Sequence, residues 1–312
     1  MNWRVKALCQ LGLSISPFGE MANYFAQRYV TRSVPPSDEF LRVLRAAAAE
    51  HIDTLNCNLA IPLSQALIYQ FGAGWELGLP LLLWALGVEH QILADRRCLV
   101  RTGLVNHVLN QLGRMAGELE LCRQPPRVLE NDWERALTTL REYYGIDYRA
   151  PQDAACTGLR DGTIDCVVAF KTLEHIPQLA LKGILAKCRR VLKPDGLMLF
   201  RIDYQDHYSY CDENISAYNF LRYSDRTWRF FNPYLHYQNR LRHPDYVAAF
   251  QGAGLEMLHQ NRIGPSDEDL KQVRGLGLAA GFRRYTVDEL AVCRALFVLR
   301  PDPHRREEMP DS

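Results

Sequence analysis

The chain has 312 residues, enough for one large domain with additions, and its 47% hydrophobic and 23% charged residues are ordinary for a soluble globular protein. A formal net charge of +1 argues against a large nucleic-acid footprint, and the arginines at 229–242 and 283–284 read mainly as solvated surface. Nine scattered cysteines without a Cys-x-x-Cys pair predict reduced thiols in a cytoplasmic protein, and without paired ligands no metal is expected.

Met1 to Leu13 lacks the apolar run and cleavage pattern of a signal peptide. Residues 1–60 read as an N-terminal helical cap, broken at Pro17, Pro35 and Pro36. Within it, Asp38 to His51 carries the helical period, with Ser37 as its candidate N-cap. Ala66 to Phe71 is a short apolar run ending at glycine, and it predicts a buried strand. Gly74 to Gly87 predicts a helix whose apolar part, Leu77 to Val88, is too short and too interrupted to span a bilayer. His90 to Asp95 predicts a second strand ending in a carboxylate, which completes a right-handed βαβ unit.

Residues 97–143 read as a helical insertion divided at Pro125–Pro126. Gly145 to Ala150, Ile164 to Phe170 and Leu197 to Ile202 predict the third, fourth and fifth strands, with a helix from Gln178 to Leu192 between the last two. Residues 204–243 are dense in aromatics and arginine without a period. A helix from Pro244 to Ala253, a strand from Leu255 to Ile263, helices at Asp267–Leu276 and Thr286–Leu290, and a strand from Val292 to Leu299 complete a domain over 61–300. Residues 301–312 read as a disordered tail.

The succession Ile164-Asp165-Cys166-Val167-Val168-Ala169-Phe170, Leu173-Glu174-His175-Ile176-Pro177 and Arg190-Val191-Leu192-Lys193-Pro194-Asp195-Gly196 resembles the second half of class I S-adenosylmethionine (SAM) dependent methyltransferases. With Ala150-Pro151-Gln152-Asp153-Ala154 and Asp161-Gly162-Thr163-Ile164-Asp165, the resemblance extends over about residues 60 to 300. It is to type 11-like members, in a bacterial subgroup of unassigned substrate. It implies an α/β fold: a Rossmann-like, seven-stranded, mostly parallel sheet with helices on both faces. The N-terminal helices and the aromatic-rich insertion are additions to it. In such a fold Asp165 is structural.

The same resemblance implies SAM as cofactor, held by Gln70, Gly72, Ala73, Gly74, Asp95, Asp153, Phe170 and Lys171. A glycine turn lets backbone approach a ligand closely, and a following helix N-terminus favours a carboxylate. Asp95, 21 residues after Gly74, is spaced to accept both ribose hydroxyls. The family pattern has an acid where Gln70 stands and a third glycine where Glu76 stands. The nicotinamide pattern would need glycine at Leu77, which disfavours a dehydrogenase. Close packing alone is the competing account of the glycine turn.

At the reacting end, His175, Asp206 and His207 are the candidate catalytic residues, because an imidazole beside a carboxylate can take a proton as the methyl group arrives. Structural hydrogen bonding is the alternative for all three. Tyr218, Asn219, Trp228, Tyr237, Asn239 and Arg240 are the candidate acceptor contacts, against a packed aromatic core. The expected function is methyl transfer to a small-molecule acceptor, a saccharide or a secondary-metabolite intermediate. The alternative is an inactive SAM-binding or scaffold protein of the same fold. No membrane partner is expected, nucleic acid is disfavoured, and a homodimer through the N-terminal helices is compatible with the sequence.

Overall fold

The computed structural model describes residues 1–31 and 33–304, so most of the expected tail lies outside the described residues. Seven strands form one sheet in the order β3-β2-β1-β4-β5-β7-β6. They are β1 (Leu67–Phe71), β2 (His90–Ala94), β3 (Ile146–Arg149), β4 (Ile164–Phe170), β5 (Leu192–Asp203), β6 (Leu255–Ile263) and β7 (Arg294–Pro301). The first five pair in parallel, and β7 runs antiparallel to both of its neighbours, so β6 runs with the first five. The chain reverses its direction of strand addition at β1 and β4, and open α/β sheets bind ligands at such a switch point.

Both sheet faces are apolar because both are covered. Ile68, Leu93, Val168 and Leu199 project to one side, against α3 (Asp38–Asn58), α4 (Gly78–Ala85), α5 (Thr102–Met115) and α6 (Trp133–Tyr144). Tyr69, Ile92, Val167 and Phe200 project to the other, against α7 (Gln178–Val191) and α9 (His243–Gly252). The period of two along each strand assigns these residues to alternate layers.

Several expectations meet their physical reason here. The Ser37 hydroxyl accepts the Phe40 N–H at 3.1 Å, which caps α3 as anticipated, and Asp38 and Glu39 complement the first turn. Asp165 accepts the Leu67 N–H at 2.9 Å and pairs with Lys193 at 2.6 Å, a structural role. The helix expected from Gly74 starts four residues later, because Leu77 adopts a left-handed conformation (φ 53°) and turns the chain before α4 begins. The last strand extends past Leu299: Pro301 pairs with Leu255, and the Asp302 N–H donates to the Gly254 carbonyl at 3.0 Å, so order continues into the segment expected to be disordered.

The N-terminal helices are fastened to the rest. Trp3, on α1 (Trp3–Ile15), is buried among Tyr208, Tyr223, Trp228 and Phe231 at centroid distances of 4.9–6.2 Å. Tyr24, on α2 (Gly19–Phe25), packs on Trp75 at 5.5 Å, and Glu20 pairs with Arg97, which brings this segment beside the glycine turn. Among the described residues no helix is long and apolar enough to cross a membrane, and all nine cysteines are free.

Candidate functional site

The carboxyl ends of β1, β2, β4 and β5 lie side by side, and their loops gather most of the residues singled out from the sequence. The Gly72 N–H donates to the Ala94 carbonyl at 2.9 Å, which ties the glycine turn to the residue before Asp95. Gly72 and Gly74 have φ of 74° and 82°, where a side chain is strained, and a Cβ on Gly72 would lie 2.4 Å from the Thr172 side chain. The turn is thereby pressed against the loop that follows β4.

Asp95 is 6% exposed, and its Oδ2 has no partner among the described residues. Burial pushes its carboxyl up to about 7, against the Ala73 N–H and the Tyr148 hydroxyl, which favour the charged form. Gln70 is buried in β1 with its Oε1 equally unpartnered. Glu76 stands where the third glycine is missing: its carboxylate oxygens lie 3.8 and 3.9 Å from a Cβ built on Gly74, and burial raises its pKa. Buried polar atoms without partners are costly, and here two of them belong to residues at the ends of the neighbouring strands β1 and β2. The acceptor oxygens suit hydroxyl and ammonium donors, which is what the nucleoside and amino-acid ends of SAM present.

Asp153 is exposed and accepts the Ala155 N–H at 2.8 Å, a local turn. Its neighbour Gln152 was not anticipated. The Gln152 N–H donates to the Asp95 carbonyl at 2.7 Å, and its Oε1 is buried without a partner. Only the fold reveals this, since a glutamine after a strand carries no distinctive spacing. Phe170 ends β4 half-buried, and Lys171 turns the chain at φ 50° with its Nζ 3.5 Å from the Asp203 carboxylate.

The loops after β4 and β5 meet at His175 and His207, whose ring centroids are 5.0 Å apart. His175 Nδ1 lies 2.7 Å from the Tyr237 carbonyl, and His207 stacks on Tyr210 at 5.5 Å. Burial, reinforced by neighbouring His175, depresses His207 to about 3, which makes its imidazole a weak base at neutral pH. Glu174, beside His175, is buried, accepts the Asp203 N–H through Oε1 at 3.3 Å and has an unpartnered Oε2. Burial holds its carboxyl up at about 8, with Asp203 adding to the shift.

Asp206, anticipated as the carboxylate beside His207, has its hydrogen bonds elsewhere. Asp206 accepts the Tyr208 N–H at 2.9 Å and the Asn219 amide at 3.0 Å, so both of its oxygens serve the fold, and burial pushes it up to about 6. Polar groups of the candidate acceptor contacts likewise have partners within the chain, which fasten the insertion to its surroundings. Tyr218 donates toward Asp269 and the Ala291 carbonyl, and Asn219 holds Asp206. Asn239 donates to the carbonyls of Leu173 and Ile176. Arg240 binds the carbonyls of Phe220 and Tyr223 and pairs with Asp225, and Trp228 is buried in the aromatic cluster around Trp3. Of the six, Tyr237 and Asn239 stay half-buried beside the histidines: the Tyr237 carbonyl meets His175, and the Asn239 N–H donates to the Glu174 carbonyl at 2.8 Å.

Residues 118–260 match the family model described as a methyltransferase domain, a stretch that begins after β2 and so excludes the glycine turn and Asp95. No curated protein matches the chain. Similar solved structures include geranyl diphosphate C-methyltransferase from Streptomyces coelicolor A3(2), at 10% identity and TM-score 0.46 over 86% of this chain and 84% of that one. Magnesium protoporphyrin IX methyltransferase from Synechocystis PCC 6803 is similar at 12% identity and TM-score 0.45, over 83% of this chain and 82% of that one. The CurJ carbon methyltransferase matches at 12% identity and TM-score 0.44 over 82% of this chain, which spans 53% of that protein's length.

Proposed function

We propose that this chain is a class I SAM-dependent methyltransferase, a reading supported by its sheet order and by the methyltransferase-domain match over residues 118–260, and that it binds SAM across the Gly72–Gly74 turn and transfers its methyl group to a small-molecule acceptor. One observation carries the reading: Gln70, near the carboxyl end of β1, and Asp95, directly after β2, each keep a buried oxygen without a partner among the described residues, beside the switch point of the sheet. Asp95 takes the ribose hydroxyls and Gln152 lies toward the base. Gln70 and Glu76 share the methionyl amine, Glu76 supplying the charge that Gln70 lacks. The bound cofactor supplies a methyl group on a positive sulfonium. The protein's part is to position the acceptor, exclude water and hold the released proton. Glu174, His175 and His207 line the place where the acceptor meets the cofactor.

Calorimetry with SAM and S-adenosylhomocysteine tests the binding, and methyl release onto a panel of hydroxylated small molecules tests the turnover. Binding of neither ligand removes the reading; binding without turnover on any acceptor moves it to the inactive scaffold. His207→Ala is expected to cut turnover at least about tenfold with little change in S-adenosylhomocysteine affinity. Unchanged turnover would take His207 out of the reacting end.

Ribose hydroxyls donate, so they need the ionised Asp95, whose carboxyl sits near 7 in the free protein. Affinity for S-adenosylhomocysteine should therefore rise from pH 6 to pH 8 by roughly tenfold, the change in the ionised fraction of a group of that pKa. Glu76, also raised, acts in the same direction. Asp95→Asn should flatten most of the slope, and an equally steep profile in that variant would assign it to another group.

A further inference from the structure

We propose that Glu174, His175 and His207 form a binding site for one divalent first-row transition ion, held by two imidazoles and a carboxylate at the carboxyl edge of β4 and β5. One ligand atom from each residue lies within 4.8 Å of the other two. The pairing was invisible in the sequence, because Glu174 and His175 follow one strand and His207 follows the next.

The surroundings resemble a ligand set already oriented. A carbonyl only accepts, so the 2.7 Å contact between His175 Nδ1 and the Tyr237 oxygen places the proton on Nδ1 and leaves Nε2 with a free lone pair. Metal-binding histidines are commonly fixed by such a bond from the other ring nitrogen. Glu174 is 2% exposed, and the Asp203 N–H holds Oε1 while Oε2 has no partner among the described residues. Asp203 has Lys171 and Arg294, each at 3.5 Å, whereas Glu174 forms no ion pair among the described residues. A cation would supply what that buried oxygen lacks. His207 is steadied by its stack on Tyr210.

Two nitrogens and one oxygen suit zinc, iron(II), cobalt(II) or manganese(II), and three protein ligands leave positions open. Bonds of about 2.1 Å put ligand atoms at most about 4.2 Å apart, so the three side chains must draw together slightly on binding. Ion binding stands independently of the methyl-transfer reading. Its consequence, that an acceptor oxygen on an open position becomes more acidic and more nucleophilic, rests on that reading.

Cobalt(II) titration of the full chain, followed by visible absorption, tests the site. One equivalent should bind with ligand-field bands and without the sulfur-to-cobalt charge transfer that the exposed cysteines would give. Glu174→Gln and His207→Ala should each weaken binding at least about tenfold, and zinc should raise the melting temperature of the parent but not of the variants. Absence of saturable binding, a thiolate spectrum, or equal affinity in His207→Ala would overturn the proposal. If Glu174→Gln fails to fold, the half-buried His207 carries the test alone. Calorimetry with S-adenosylhomocysteine on the same samples keeps the two readings apart: that ligand without cobalt sinks the ion site, and cobalt without that ligand sinks the cofactor site.

Discussion

Replacing Asp95 with alanine is expected to weaken S-adenosylhomocysteine binding by at least about 100-fold. Two ribose hydroxyls donating to one carboxylate are hydrogen bonds to a charged group, each worth roughly 1.5–3 kcal/mol. A loss of about 3 kcal/mol in total corresponds to more than two powers of ten in affinity. Asp95→Asn keeps one acceptor oxygen and should fall between alanine and the parent. Unfolding cannot mimic this result, and the sign follows from the ionisation. The folded-state carboxyl sits near 7, above the ordinary aspartate value of 3.8, so its charging opposes folding as pH rises through that window. The ligand-free alanine variant should therefore be no less stable than the parent at pH 8. Calorimetry and thermal unfolding, run together, check both halves. Undiminished affinity would detach Asp95 from the nucleoside and dissolve the case for the glycine turn with it.

The sheet was legible because buried parallel strands leave an unmistakable trace. Ile164 to Phe170 is apolar at nearly every position since both faces are covered, and its bounds emerge unchanged. The turn after β1 was legible from Gly72 and Gly74, whose backbone angles few other residues tolerate. The delay of α4 was not, because a leucine in a left-handed conformation has no composition to announce it. The insertion reads two ways for a physical reason. Aromatics, asparagines and arginines are the vocabulary of a binding pocket, and also of a polar network that anchors a segment with little regular structure. Sequence cannot distinguish them, because the difference lies in whether the donors meet a ligand or backbone carbonyls. The role of Glu174 was hidden likewise, since an unpartnered oxygen is a property of the packed molecule.

Arg242 shows that anchoring in its most concentrated form, and its replacement by methionine is expected to lower stability by about 4 kcal/mol. The side chain is fully buried. Its guanidinium donates to the Tyr204 carbonyl at 2.8 Å, to Leu290 at 2.7 Å and to Val292 at 3.0 Å, and lies over the rings of Tyr204 and Phe220. It joins the end of β5 to the short helix α11 (Val287–Leu290) and the start of β7. Methionine replaces much of the apolar stem but no donor, so three carbonyls lose their charged partner at roughly 1.5 kcal/mol or more each. For a chain of this size the midpoint of thermal unfolding should drop by about 6 °C. Function should follow the geometry: Tyr204 precedes His207 by three residues, while Asp95 follows β2, separated from β5 by β1 and β4 along the same edge of the sheet. At temperatures where the variant is folded, turnover should therefore fall more than S-adenosylhomocysteine affinity. A midpoint within about 2 °C of the parent would mean that stacking on Tyr204 and Phe220, rather than the three carbonyls, is what the buried arginine contributes.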